Sequence, residues 1–225
     1  MKLRFGYGLV LLLIVSTYVL AIFAERRWTV AVLLAVQAGT VWQSLRVSRA
    51  RPRLRLAGAI ALALALAAAV ATQVNHGQVL TGVAFSTASA LYLLAPIAIV
   101  RDLSRRDRVD LQTMLGALAA YLLIGMAFGF AYECLAVIQP GPLFGERGDP
   151  TLAEALFFSF VTVTTTGYGD LVPAGNPGQT LAVFEVLTGQ IFLITAVAKV
   201  VENWRPRNWS RTSSTGDDAV GPELR

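Results

Sequence analysis

Thr162-Val163-Thr164-Thr165-Thr166-Gly167-Tyr168-Gly169-Asp170 is the stretch whose setting decides the fold. Alone, Gly-Tyr-Gly is a weak signal, because glycine and tyrosine share many loops. What surrounds it is unusual: an apolar run from Leu152 to Val163 leads into it, and a full-length one, Thr180 to Val201, lies beyond it. A helix crossing a bilayer needs about 20 apolar residues. The first run is too short for that and suits a re-entrant helix that enters the membrane and turns back.

Toward the N-terminus, five more apolar stretches pass the length test. They are Leu3 to Ala24, Trp28 to Leu45, Leu56 to Val74, Val79 to Val100, and Leu111 to Ala131 with a looser continuation to Ile138. The composition agrees: of 225 residues, 55% are hydrophobic and 15% charged. Soluble domains are nearer 45–50% apolar and about 25% charged. This argues against a cytosolic enzyme, and a disordered chain and a disulfide scaffold are excluded, the last because there is one Cys. No metal cluster, phosphate-binding loop or nucleophile triad is present, so no catalytic residue is assigned and no enzyme expected.

The basic residues set the orientation. Arg46, Arg49, Arg51, Arg53 and Arg55 lie between the second and third stretches, and Arg101, Arg105, Arg106 and Arg108 between the fourth and fifth. With the N-terminus inside, these fall on the cytoplasmic side with Lys2, Arg4, Lys199, Arg205, Arg207, Arg211 and Arg225. That is 16 of the 19 basic residues, leaving Arg26, Arg27 and Arg147 outside. The positive-inside rule therefore predicts six spans with both termini cytoplasmic. A cleaved signal peptide at the N-terminus would keep the same parity. The first run exceeds the usual core of about 7–15 residues, so it is read as a span. Topology accounts for the net charge of +5, and no nucleic-acid partner is implied.

A span, an outer loop, a half-length helix, this run and a final span resemble the pore module of tetrameric potassium channels, over about residues 111–202. The nine residues resemble that family's selectivity-filter signature. Dehydrated potassium needs closely spaced oxygens, which backbone carbonyls supply. Aligning successive carbonyls takes a backbone that alternates between ordinary and left-handed conformations, which Gly167 and Gly169 tolerate. The resemblance implies potassium sites at the carbonyls of Thr165, Thr166, Gly167 and Tyr168, with the Thr165 hydroxyl completing the innermost one. It implies that Tyr168 braces the filter against the pore helix. Thr164 and Asp170 then support the strand, Asp170 at the outer mouth. One chain carries one filter strand, so a fourfold ring implies a homotetramer. Potassium would be the permeant ion, with no cofactor.

The chain departs from the pattern in places. Thr166 stands where the family most often has Val or Ile, Phe157 and Phe158 where many relatives carry Trp, and Val161 where some bacterial ones carry Glu. The larger departure concerns voltage. A sensor needs charges inside the field, each worth about 2.3 kcal/mol per 100 mV. Val79 to Val100 contains no Arg or Lys, and the block from Arg101 to Arg108 follows it, interrupted by Asp102 and Asp107. Weak or absent voltage dependence is expected.

For the half-length helix, Asp149 is the expected cap and Pro150 the first helical residue, with Glu154 near its positive end. Asn176 and Pro177 suggest the same start for the last span. In that span Gly189 serves either as a bending point or as a small residue for close packing. Glu185, one turn earlier, either lines the cavity or hydrogen-bonds behind the filter. His76 reads as a solvated turn residue, Cys134 as a free thiol, and Trp204 and Trp209 as interfacial anchors.

The expected fold is an all-α integral membrane protein, six transmembrane helices plus a re-entrant pore helix and filter loop, assembled as a fourfold tetramer. Residues 1–110 form a four-helix unit, 111–202 the pore domain and 203–225 a short cytoplasmic tail. The expected location is a bacterial inner membrane, and the partners are potassium ions, the lipid bilayer and other copies of the chain. A less selective cation channel and a non-conducting scaffold are the alternatives.

Overall fold

The computed structural model describes residues 7–22, 36, 39–46, 56, 59, 60, 63, 67, 78–103 and 110–202. The elements are α1 (Tyr7–Ile22), α2 (Gln78–Leu103), α3 (Leu111–Ile138), a single 3-10 turn (Gly145–Arg147), α4 (Leu152–Val163) and α5 (Asn176–Glu202). No strand occurs among the described residues. Among the described residues, three helices are long and apolar enough to cross a membrane, over Ser86–Leu103, Leu111–Ile138 and Asn176–Val201. The first expected span is described as a helix over 16 residues. Most of Trp28 to Leu45 and Leu56 to Val74 lies outside the described residues, as do His76, Trp204 and Trp209.

α3 is the mast of the fold. Asp110 caps it, accepting from the Thr113 N–H at 2.8 Å and hydroxyl at 2.7 Å. It runs unbroken to Ile138, so the looser continuation is helical. Pro140 follows closely, and the residue before a proline is pushed out of the helical region; Gln139 is extended. α2 also runs past its expected end: Arg101 and Asp102 belong to its last turn rather than to a loop. A cation there complements the negative end of the helix dipole. Asp102 accepts from the Tyr7 hydroxyl at 2.9 Å, which ties α2 to α1.

One apolar core joins α1, α2 and α3 around Tyr7, Ile14, Tyr92, Ile99, Leu123, Met126 and Phe130, and Leu156 of α4 enters it. A second core wraps α4, with Phe128 and Tyr132 of α3, Leu143 and Phe144 of the loop, Phe158, and Leu171 beyond the site. The loop before α4 holds the segment after it, since Ala174 N–H donates to the Leu143 carbonyl at 2.9 Å.

The start of α4 differs from expectation. Thr151 is the cap, and Pro150 precedes it. Thr151 Oγ1 accepts from the Glu154 N–H at 3.3 Å, while Glu154 Oε2 accepts from the Thr151 N–H at 2.8 Å. This reciprocal box satisfies two orphan donors at once. Asp149 is engaged elsewhere, accepting from the Leu143 N–H at 2.9 Å. α5 opens at Asn176 itself, with Pro177 in its first turn.

Candidate functional site

Beyond α4 the backbone alternates. Thr165 has φ 58°, Gly167 φ 58° and Gly169 φ 83°, and neither Thr166 nor Tyr168 is left-handed. A Cβ built on Gly167 or Gly169 would meet nothing within 4 Å. Conformation, not lack of space, therefore calls for glycine there. Thr165 is the exception: left-handed geometry costs an L-residue roughly 1–2 kcal/mol, and a β-branched one is a genuine outlier. Neighbouring bonds over-determine it. Thr165 N–H donates to the Thr162 carbonyl at 2.9 Å, and the N–H groups of Thr166 and Gly167 share the Val161 carbonyl at 2.9 and 3.3 Å. Thr164 through Asp170 are all exposed in the single chain.

Side chains hold this strand to α4. The Thr164 hydroxyl donates to the Phe160 carbonyl at 2.6 Å and lies 2.9 Å from the Thr166 hydroxyl. With the Thr164 proton committed to Phe160, Thr166 is the donor of that second bond. Its hydroxyl is thus turned toward α4. Tyr168 stacks on Phe157, rings 3° from parallel with centroids 6.2 Å apart. Phe158 points the other way, edge-on to Tyr132 and Phe144 at 4.8 and 5.2 Å. The Thr151 N–H and hydroxyl hold the Glu154 carboxyl below its ordinary range, at the outer end of the same helix.

Behind α4 lies a polar cluster. Glu185 is fully buried, with Oε2 accepting from the Tyr132 hydroxyl at 2.7 Å and Oε1 2.5 Å from Ser159 Oγ. Ser159 Oγ is also 2.6 Å from the Gly125 carbonyl. Gly189 packs on the last turn of α4, where a Cβ would fall 2.6 Å from Val163 Cγ2 and 3.2 Å from Val163 O. That same carbonyl accepts from the Tyr121 hydroxyl at 2.9 Å. Close packing therefore accounts for this glycine. Cys134 is a free thiol 2.8 Å from Ser86 Oγ, away from the site.

Sequence reasoning passed over Gly125, Gly129, Tyr121, Tyr132 and Ser159. A Cβ on Gly125 would sit 2.8 Å from the Phe160 ring, and one on Gly129 2.5 Å from Leu156 Cδ2. These glycines let α3 approach α4. Their four-residue spacing inside an apolar run was a readable signal. The tyrosine and serine hydroxyls carry no comparable pattern.

The site is thus a half-length helix delivering an exposed strand of alternating backbone handedness, beside helices apolar enough to cross a membrane. Residues 117–204 match the family described as ion channel. The chain belongs to this ion-channel family. It is 34% identical over 89 residues to potassium channel subfamily K member 7 of Mus musculus, covering 39% of this chain and 28% of that protein. It is 38% identical over 86 residues to two pore potassium channel b of Oryza sativa subsp. japonica, covering 38% and 22%. It is 30% identical over 106 residues to Protein LctB of Bacillus caldotenax, covering 44% and 78%. The chain thus spans less than a third of the mouse and rice relatives. No solved structure matches it.

Proposed function

We propose that four copies of this chain surround one axial pore that conducts potassium passively and selectively down its electrochemical gradient. The observation that carries this reading is the left-handed backbone at Thr165, Gly167 and Gly169, placed directly after a 12-residue helix. In this reading the carbonyls of Thr165, Thr166, Gly167 and Tyr168 replace the water around the ion, and the Thr165 hydroxyl completes the innermost site. The C-terminal end of α4 points its partial negative charge at the approaching cation. Asp170 adds negative charge at the outer mouth, and Gly169 lets the strand turn toward it. The names of the mouse and rice relatives support potassium as the permeant ion.

In the same reading, residues 111–202 form the pore domain, 1–110 a peripheral four-helix unit without sensor charges, and 203–225 a cytoplasmic tail. Six spans place both termini in the cytoplasm of a bacterium, in its inner membrane. Opening depends weakly or not at all on voltage.

The test is ion flux from liposomes holding the purified protein, with potassium or sodium gradients. Wild type should pass potassium and reject sodium, and Gly167→Ala should abolish the potassium flux, since alanine strains the left-handed position. Equal flux of both ions would make it a general cation channel. Flux indifferent to Gly167→Ala would remove the filter from the account.

A further inference from the structure

Between residues 179 and 201 of α5 only Glu185 and Gly189 are buried, one helical turn apart. Both meet α4, and they do so in different ways. Gly189 allows the backbone of α5 to lie against Val163, and Glu185 reaches Ser159 of α4 and Tyr132 of α3. The Ser159 hydroxyl in turn reaches the Gly125 carbonyl of α3. One carboxyl group thus links the three elements of the pore module at a single point. Two residues along α4 from Ser159, the Val161 carbonyl receives the N–H groups of Thr166 and Gly167. The cluster and the filter strand are therefore anchored within the same turn of α4.

We propose that Glu185 is a positioning residue for the filter. It fixes the height and rotation of α4 relative to α5, and α4 passes that position to the strand through Val161. This rests on the potassium-pore reading above and names the residue that sets its selectivity from behind. The physical reason lies in the directionality of hydrogen bonds. Apolar contacts tolerate sliding, whereas a buried carboxyl held by two hydroxyls has one arrangement, and leaving any of its partners unsatisfied is costly. A filter that discriminates ions by oxygen spacing needs such a fixed support.

The experiment measures the sodium-to-potassium permeability ratio from reversal potentials of the reconstituted full chain, alongside assembly by size-exclusion chromatography. Ser159→Ala removes one hydroxyl with little change in volume and is expected to raise the ratio about tenfold. Glu185→Leu should raise it at least as far. Glu185→Gln should stay near wild type, because the amide oxygen can accept from Tyr132 while its N–H donates to Ser159, whose own proton then serves Gly125. A wild type that fails to prefer potassium overturns the pore reading itself. A selective wild type with an unchanged ratio in Ser159→Ala overturns the positioning role alone. So does a Glu185→Gln protein as unselective as Glu185→Leu. If Glu185→Leu fails to assemble, Ser159→Ala and Glu185→Gln decide.

Discussion

α3 and α5 are near twins in length and apolarity, at 28 and 27 residues. Within their membrane-crossing windows, however, 61% of α3 is buried inside the chain and only 11% of α5. α3 touches every other long element and carries glycines where α1, α2 and α4 press on it. α5 presents Phe184, Leu187, Ile191, Ile194 and Val197 to its surroundings. Apolarity marks both as membrane helices and says nothing of which is finished within one chain. The difference lies in small and polar residues. Lipid is as apolar as leucine, so helices in a bilayer associate through close packing and hydrogen bonds. α3 has both throughout, whereas α5 has them at its outer start, at Gly178 and Gln179, and then at Glu185 and Gly189.

The largest effect should come from filling the α3 side. Gly129→Val places a branched side chain where Leu156 Cδ2 stands 2.5 Å, and the Leu156 backbone 3.3 Å, from the position a Cβ would take. Overpacking of this kind costs about 1–3 kcal/mol, so the detergent-solubilised protein should melt well below wild type. On α5, Ile191→Ala with Ile194→Ala should leave the helical content and fold of the single chain intact. The proposed tetramer, in which these side chains would lie between copies, should weaken by about 2 kcal/mol. Mass measurement of the assembly across a dilution series reads that directly. A tetramer unmoved by the pair, with a Gly129→Val protein as stable as wild type, would erase the distinction between the two helices.

The same contrast separates what was legible in the residues from what was not. Apolar length alone marked Leu152–Val163, and α4 has those bounds. Alternating glycines marked Gly167 and Gly169, and both are left-handed. Local chemistry was enough in each case. Thr165 is left-handed because Thr162 and Val161 hold the chain around it, and no residue-type preference announces that. At the start of α4, Asp149 and Thr151 are both capable caps, and the glutamate three residues after Thr151 was the deciding sign. The partners of Glu185 lie 26 and 53 residues away in sequence. Only packing brings them together.

A smaller effect should come from the exposed strand, the part of the site least supported within one chain. Thr166→Val keeps the shape and deletes the hydroxyl that donates to Thr164. A single hydrogen bond of this sort contributes about 1 kcal/mol. The expected result is a lower melting temperature in potassium and a smaller gap between the melts in potassium and sodium. An unchanged gap would show that the hydroxyl does not bear on the proposed ion sites, and that the backbone bonds to Thr162 and Val161 hold the strand without it.

The smallest effect belongs to the outer end of α4, where the cap is local and owes nothing to α3 or α5. Thr151→Ala should cost about 1 kcal/mol, the usual value of a lost N-cap. Its pH signature distinguishes it from the other changes. The Thr151 N–H and hydroxyl favour the ionised Glu154 carboxylate, so its folded pKa is depressed below the unfolded one. Stability from this pair is therefore present above the unfolded glutamate pKa of about 4.3 and is lost as pH falls through the lower, folded value. Glu154 is exposed to solvent, so the slope should be shallow. Melting temperatures of wild type and Glu154→Gln should differ near neutral pH and converge in acid. A difference that stays constant from neutral pH down to about pH 3, below the reference glutamate value, would mean that ionisation of Glu154 adds nothing to the threonine cap.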